Sequence, residues 1–250
     1  MNSEPHAGRR RRFMDGISRN TLLLGVVSFL NDLSSDMINP HLLVIFLSSV
    51  LGVSAAGIGL IGGITEAAAS VLKAASGWLS DALRRRRPAI LLGYWIAACS
   101  RPLLAMSTSM WQVLALRFAD RLGKGLRSAP RDALIADSTP EGYRGKAYGL
   151  HRALDTAGAA AGMLLAALLL VGLATDLAAS LRTIFLVASV PGILVVGLIL
   201  WGVREQAGAA GEGPRPRAAR HLGQALTGEL VKWYGVVFLF WLGNSSDMFL

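Results

Sequence analysis

The feature that most limits the fold of this chain is a series of six stretches, each long and apolar enough to cross a lipid bilayer as a helix. A transmembrane helix needs about 20 predominantly apolar residues. We call these stretches spans 1 to 6; they cover residues 21–50, 55–79, 89–106, 111–137, 147–173 and 183–203. Of the 250 residues, 53% are hydrophobic and 16% are charged, whereas soluble domains have about 25% charged residues. The sequence therefore predicts an all-α membrane protein with the lipid bilayer as its surroundings.

The basic residues predict how the spans are oriented. Sixteen Lys and Arg residues lie before span 1, between spans 2 and 3, between spans 4 and 5, and after span 6, whereas the opposite connections hold only Arg182. Because cytoplasmic connections carry the excess of Lys and Arg, we expect a multi-pass protein of the cell inner (cytoplasmic) membrane with a cytoplasmic N-terminus. The net charge of +9 comes from these span ends, so we expect no nucleic-acid partner.

The spans also predict the domain organisation. We expect residues 1–20 to form a cytoplasmic N-terminal tail and residues 21–203 to form a bundle of six transmembrane helices. Residues 204–233 include a polar stretch rich in Gly and Pro, which indicates a flexible cytoplasmic linker. Residues 234–250 read as the start of a seventh transmembrane helix that is truncated.

A short repeat supports a two-part architecture. The sequence Ser-Ser-Asp-Met at residues 34–37 recurs 211 residues later, at residues 245–248, and both copies lie part-way into a span. Parallel repeats of six helices are a known plan among membrane proteins. We therefore expect this chain to be one half of a twelve-helix fold, completed by a missing C-terminal half that comes from the same chain or from a second copy.

Span 4 differs from the others because charged residues follow one of its faces. At 3.6 residues per turn, seven charges fall within an arc of roughly 140°: Arg117, Asp120, Arg121, Lys124, Arg127, Arg131 and Asp132. Each charge at the centre of a membrane helix costs about 2.5–3.5 kcal/mol, and the apolar residues of the span return far less. This face must therefore line water or contact polar groups of other spans, which indicates a pathway.

The connection between spans 2 and 3 resembles the loop signature of the major facilitator superfamily, in which a basic cluster follows a glycine and an aspartate. The matching residues are Gly77, Leu79, Asp81, Arg85 and Arg86, whereas Ala82 and Arg84 depart from the pattern. The resemblance implies a major-facilitator-type six-helix bundle and a cytoplasmic gate made of Gly77, Asp81, Arg85 and Asp137. The alternative is that residues 84–87 serve only as a positive anchor at the membrane surface.

Spans 4 and 5 are similar to two further signatures of that superfamily. Arg117, Gly123 and Gly125 fit an arginine followed by glycines, and in many members this arginine lies beside an acid of span 1 and tunes its proton affinity. Gly158 and Gly162 fit a pattern typical of antiporters, although a methionine replaces its proline. Close packing of two helices at these glycines is the alternative interpretation.

The charged residues inside the spans are the candidates for function. A rise of 1.5 Å per residue puts Asp32, Glu66, Arg101 and Arg121 near the middle of the bilayer, where transporters of this type hold their substrates. A carboxylate withdrawn from water binds a proton more readily, so the candidates for proton coupling are Asp32, Asp36 and Glu66. The candidates for binding a solute are Arg101, Arg117, Arg121, Lys124 and Asp155. Structural ion pairing remains the alternative for each of them.

These features favour a secondary active transporter that moves a small anionic or zwitterionic solute by alternating access, coupled to protons. The alternatives are a multidrug efflux antiporter of the same superfamily and a truncated half that does not transport. Gly57, Gly59 and Gly62 match a dinucleotide fingerprint, but no strand precedes them, so we expect no cofactor. With one cysteine, scattered histidines and no recognisable nucleophile, we expect no metal site and no enzymatic activity.

Overall fold

The computed structural model of the chain describes residues 16–83, 86–173, 176–203, 233, 235 and 236, with the backbone alone for residues 69–71 and 73–83. Residues 16–203 of this described part belong to one compact unit, and residues 233, 235 and 236 belong to a second. The first unit is helical throughout, which confirms the predicted all-α class. Its described residues form helices α1 (Arg19–Met37), α2 (Pro40–Ile45), α3 (Ala55–Leu83), α4 (Arg86–Ala105), α5 (Met110–Asp137), α6 (Arg144–Leu173) and α7 (Leu177–Gly202).

Span 1 is broken into two helices. The side chain of Asn39 accepts a hydrogen bond from the backbone N–H of Leu42 at 2.8 Å, and Pro40 occupies the first turn of α2. Proline is suited to a first helical turn because it lacks the N–H that a helix interior needs. A π-helical turn, Phe46–Val50, completes the span.

Spans 2 to 6 correspond to α3 to α7. Among the described residues, four helical stretches are long and apolar enough to cross a membrane: Arg19–Val50, Arg86–Ala105, Glu141–Leu173 and Leu177–Gly202. Helix α5 is 28 residues long but is not one of these stretches, because it carries the charged face described above. Two of its charged residues, Asp120 and Arg127, are buried inside the bundle.

The helices pack as interlocking pairs. Helix α1 packs against α6 and α7, α4 packs against α5 and α7, and α3 packs against α5. A methyl group at Gly158 or Gly162 of α6 would collide with the backbone carbonyl oxygens of Phe29 and Leu33 in α1. These glycines therefore bring two backbones into contact, as small residues do in membrane helix pairs. In this structure Gly158 and Gly162 serve to pack α6 closely against α1, as the alternative interpretation predicted.

Two apolar clusters lie at opposite ends of the bundle, with a polar layer between them. The first cluster lies at the end where α1 begins, and includes Leu24, Val27, Ile90, Tyr94, Ile135 and Val195. The second lies at the opposite end, and includes Met37, Phe46, Leu104, Val113, Leu181 and Phe185. Between them are buried polar residues: Ser28, Asn31, Ser34, Arg101, Asp120 and Arg127. The polar layer thus contains three buried charged side chains, Arg101, Asp120 and Arg127.

Two arginines join α4 and α7 at both of their ends. Arg87 of α4 donates to the carbonyl of Leu200 near the end of α7, at 2.6 Å. In the other direction, Arg182 of α7 donates to the carbonyls of Ala105 and Ser107 at the end of α4, at 2.6 and 3.0 Å. The last carbonyls of a helix lack partners within the helix and attract cations. Each of the antiparallel helices α4 and α7 therefore has its C-terminal carbonyls capped by an arginine of the other.

Candidate functional site in the polar layer

Arg101 lies at the centre of the polar layer and is only 4% exposed. Its guanidinium donates to the Ser34 hydroxyl at 2.6 Å and to the Asn31 side-chain oxygen at 2.9 Å. Ser34 in turn donates to the backbone carbonyl of Ala188 in α7. Arg101, which was predicted to bind a solute, therefore connects α4 to α1 by hydrogen bonds. Ser34 connects α1 to α7 in the same way.

Asn31 connects Arg101 to the other charged residues. Its side-chain oxygen also accepts from Arg127 of α5 at 3.4 Å, and its amide nitrogen donates to the Asp32 carboxylate at 2.9 Å. The Arg127 guanidinium lies 4.5 Å from the centre of the Tyr94 ring and donates to the carbonyl of Gly93 at 3.1 Å. Contact with an aromatic face and hydrogen bonds compensate a buried guanidinium for lost water.

Asp32 and Asp155 bring two carboxyl groups together between α1 and α6. The two carboxyl groups are near enough to interact electrostatically. Asp155 accepts from the Ser28 hydroxyl at 2.5 Å and pairs with Arg152 at 3.1 Å. Arg131 of α5 donates to the same Ser28 hydroxyl at 3.2 Å. The structure thus groups a predicted proton-coupling residue with a predicted solute-binding residue.

A small pocket of about 10 Å³, room for one water molecule, lies between α1, α4 and α5. Its polar lining consists of Ser35, Ser100, Arg101, Arg117 and Asp120. Asp120 is 8% exposed, and one of its carboxylate oxygens has no hydrogen-bonding partner among the residues that the structure describes. Two predicted solute-binding residues, Arg101 and Arg117, therefore share a pocket with an acid that was not selected from the sequence.

The remaining candidates, Glu66, Arg121, Asp36 and Lys124, are only partly buried or exposed. Arg121 pairs with Glu66 of α3 at 3.1 Å, and the Glu66 side chain is 58% exposed. Asp36 is half-buried and lies in the fields of Lys124 and Arg121. Lys124 also attracts the Asp32 carboxylate electrostatically. Cations of α5 thus interact with acids of both α1 and α3.

Asp137, a residue of the expected gate, forms an ion pair in the structure. Asp137 at the end of α5 pairs with Arg86 at the start of α4. Arg85 lies outside the described residues, and Gly77 and Asp81 are described by their backbone alone. The arginine that reaches Asp137 in this structure is therefore the neighbour of the one that the family pattern implied.

The sequence interpretation missed Asn31, Tyr94 and His151. His151 of α6 is 5% exposed, and neither of its ring nitrogens has a hydrogen-bonding partner in the described part of the chain. Its position four residues before Asp155, on the same helical face, was the available signal. In the described ranges, no three His, Cys, Asp or Glu side chains are grouped so that they could hold a metal ion.

Comparison with known proteins gives a consistent picture. A family model described as the Major Facilitator Superfamily matches residues 24–250. An uncharacterized MFS-type transporter of Methanocaldococcus jannaschii is 39% identical over 190 residues, which cover 76% of this chain and 46% of the relative. An uncharacterized protein of Mycobacterium tuberculosis is 33% identical over 155 residues, covering 62% of this chain and 37% of the relative. The chain thus spans less than half the length of these curated relatives.

Among solved structures, the chain is similar to a POT family transporter crystallised in complex with 5-aminolevulinic acid. The TM-score is 0.66 at 19% sequence identity, and the match covers 91% of this chain and 47% of that chain. At this identity the likeness concerns the fold. It confirms the predicted helical bundle, which corresponds to about half of the larger transporter.

Proposed function

The chain belongs to the major facilitator superfamily, whose members are membrane transporters rather than enzymes, and from this we propose that it is a proton-coupled secondary transporter. It moves a small anionic or zwitterionic solute across the cytoplasmic membrane by alternating access. We propose that residues 21–203 act as one six-helix half and that residues 204–233 link it to a second half. The bilayer, the solute, protons and that second half are its proposed partners.

The observation that carries the proton coupling is the proximity of the Asp32 and Asp155 carboxyl groups. Two carboxyl groups can hydrogen-bond to each other only when one of them holds a proton. Two neighbouring ionised carboxylates repel each other, which favours a state in which they share one proton. A pair of acids between two helices in the bundle interior is therefore suited to gain and release one proton in each transport cycle. Asp36 and Glu66 are further candidates for the path of that proton.

The cations of α4 and α5 support the choice of solute. Arg101, Arg117, Arg121 and Lys124 belong to helices whose charged faces cannot face lipid. An interior of this kind suits a solute that carries at least one negative charge. It does not suit the apolar drugs that the multidrug alternative would require.

The gate belongs to the same proposal. We propose that Asp137 and the arginines that follow Asp81, including Arg85, close the cytoplasmic end of the pathway while the other end is open. The ion pair between Asp137 and Arg86 supports such a closure. Gly77 would allow the close approach of helices that the family pattern implies.

Transport in proteoliposomes tests the coupling. The protein is reconstituted with a pH-sensitive dye inside the vesicles, and a panel of small anions and amino acids is added outside, with and without an imposed pH gradient. We expect solute entry to move protons and to depend on the gradient. Asp32→Asn should abolish both effects, because an amide cannot release a proton.

The matched control is Glu141→Gln, which removes an exposed acid at the end of the bundle. Glu141 pairs only at the surface, with Arg144 at 3.3 Å, so this variant should behave like the wild-type protein. Solute uptake that ignores the pH gradient and survives Asp32→Asn would show that the transporter is not coupled to protons through this acid.

A further inference from the structure

Asn31 of α1 lies at a junction between three helices and is only 3% exposed. Its side-chain oxygen accepts hydrogen bonds from Arg101 of α4 at 2.9 Å and from Arg127 of α5 at 3.4 Å. Its side-chain nitrogen donates to a carboxylate oxygen of Asp32 at 2.9 Å. These contacts join two cations to the acid that is proposed to carry the proton.

The two arginines determine which way the Asn31 amide faces. A guanidinium has only donors, so the atom that it meets must be the amide oxygen and not the NH2 group. With the oxygen held by Arg101 and Arg127, the NH2 group lies on the other side, where Asp32 is. A reversed amide would put donors against both guanidiniums and an oxygen against the carboxylate, which is costly in a buried site. The arginines therefore fix the donor that points toward Asp32.

This donor distinguishes the two protonation states of Asp32. An ionised carboxylate accepts a stronger hydrogen bond than a protonated one, so a donor on the charged form opposes proton binding. Protonation of Asp32 therefore weakens its hydrogen bond from Asn31. Because hydrogen bonds in a chain polarise one another, the same event weakens the bonds between the Asn31 oxygen and the two arginines.

Asp32 also faces charges that do not act through Asn31. Lys124 of α5 and Arg101 of α4 attract its carboxylate, and Asp155 of α6 repels it. Further titratable and charged groups around the two acids are Asp36, Arg131, His151 and Arg152. The part of α7 that packs at this level carries no charged residue. An uncharged substitution of Asn31 leaves all these charges in place, so the effect of its amide can be measured separately.

We propose that Asn31 is a positioning residue of proton coupling: held by two arginines, its amide favours the ionised form of Asp32 and passes the loss of that charge on to α4 and α5. The inference rests on the proposed transport function and deepens it by naming the residue that connects proton binding to the helices around the polar layer. A structural role alone, in which Asn31 only satisfies the two arginines, predicts no link between its amide and the charge of Asp32.

Nuclear magnetic resonance of the full chain in lipid nanodiscs tests this link without a solute. The chain has five asparagines, so labelling asparagine with ¹⁵N gives few side-chain amide signals, and Asn31→Gln identifies the signal of Asn31 by its loss. We expect this signal to shift with pH, and Asp32→Ala to abolish the shift. The signal of Asn39, which accepts from the backbone of Leu42 at 2.8 Å, is the internal control and should respond to pH equally in the two proteins.

Infrared spectroscopy of the same samples measures the proton affinity. A protonated carboxyl group has a C=O band that disappears on ionisation, and the part of this band that is lost in Asp32→Ala reports on Asp32 and its pairing with Asp155. Asn31→Leu removes the donor without adding a charge, so we expect the midpoint of this band to rise by about one pH unit, or about tenfold in proton affinity. Asn39→Leu removes another hydrogen bond of span 1 and should leave the midpoint unchanged.

Two results would overturn the inference while leaving the proposed function intact. One is an Asn31 signal that ignores pH although the Asp32 band titrates, and the other is an unchanged or lower midpoint in Asn31→Leu. If Asn31→Leu does not fold, the Asn31 signal of the wild-type protein decides alone. A wild-type protein without an infrared band that depends on Asp32 would refute proton coupling through this acid, and the inference with it.

Discussion

Arg101 shows how a single residue organises the middle of the bundle. It comes from α4, it bonds directly to two residues of α1, and one of these reaches α7. A buried charge is tolerated only when hydrogen bonds replace its lost water. Arg101 therefore acts as a structural centre of the bundle.

Replacing Arg101 by methionine should destabilise the protein by about 3 kcal/mol or more, because hydrogen bonds to a charged group contribute about 1.5–3 kcal/mol each and their acceptors would stay buried. Unfolding of the purified protein by SDS titration measures the change. Arg144→Gln, at the surface, should shift the unfolding free energy by less than about 0.5 kcal/mol. An Arg101→Met protein as stable as the wild type would contradict this role.

At this scale the sequence indicated which charges must be buried but not their partners. The charged face of α5 and the acids of α1 followed from helical periodicity, since each lies on one helix. Asn31, Ser28 and Tyr94 are ordinary membrane-helix residues, and their roles appear only when Arg101, Arg127 and Arg131 reach them from other helices. The pairing of Asp32 with Asp155 likewise depends on how α1 and α6 face each other.

The helices themselves were more predictable than their contacts. Spans 2 to 6 correspond to α3 to α7. Spans 3, 5 and 6 were predictable because a run of about 20 apolar residues has few alternatives in a bilayer. The break near Pro40 could be anticipated from proline chemistry, whereas the π-helical turn at Phe46–Val50 carries no local signature. The close approach of Gly93 in α4 and Gly123 in α5, where a Cβ on either would lie 2.5 Å from the other's carbonyl oxygen, depends on both helices.

Glycine substitutions in α6 test the contact between α1 and α6. Gly158→Ala should cost about 1–3 kcal/mol of stability, because overpacking forces backbone shifts and the new methyl group meets the Phe29 backbone. Gly149→Ala is the matched control in the same helix: its Cβ would enter open space, and alanine should stabilise the helix by up to about 1 kcal/mol. Equal SDS-unfolding curves for the two variants would argue against a close helix contact.

At the scale of the whole molecule, the charge distribution makes an orientation testable. Starting from a Cys99→Ala background, single cysteines are placed at Thr108 and Glu141, two exposed positions at opposite ends of the bundle. Because Lys and Arg concentrate at the Glu141 end, we expect a membrane-impermeant maleimide to label Thr108→Cys in intact cells and Glu141→Cys only after lysis. The reverse labelling pattern would show that the chain is inserted the other way round.

The contact of Gly158 with Phe29 and of Gly162 with Leu33 brackets the position of Asp32 along α1. Backbones that touch at two successive turns hold α1 and α6 in a fixed register. This register sets the spacing between Asp32 and Asp155. If the pair takes up a proton as proposed, the arginines of α5 would experience it as a change in local electric field.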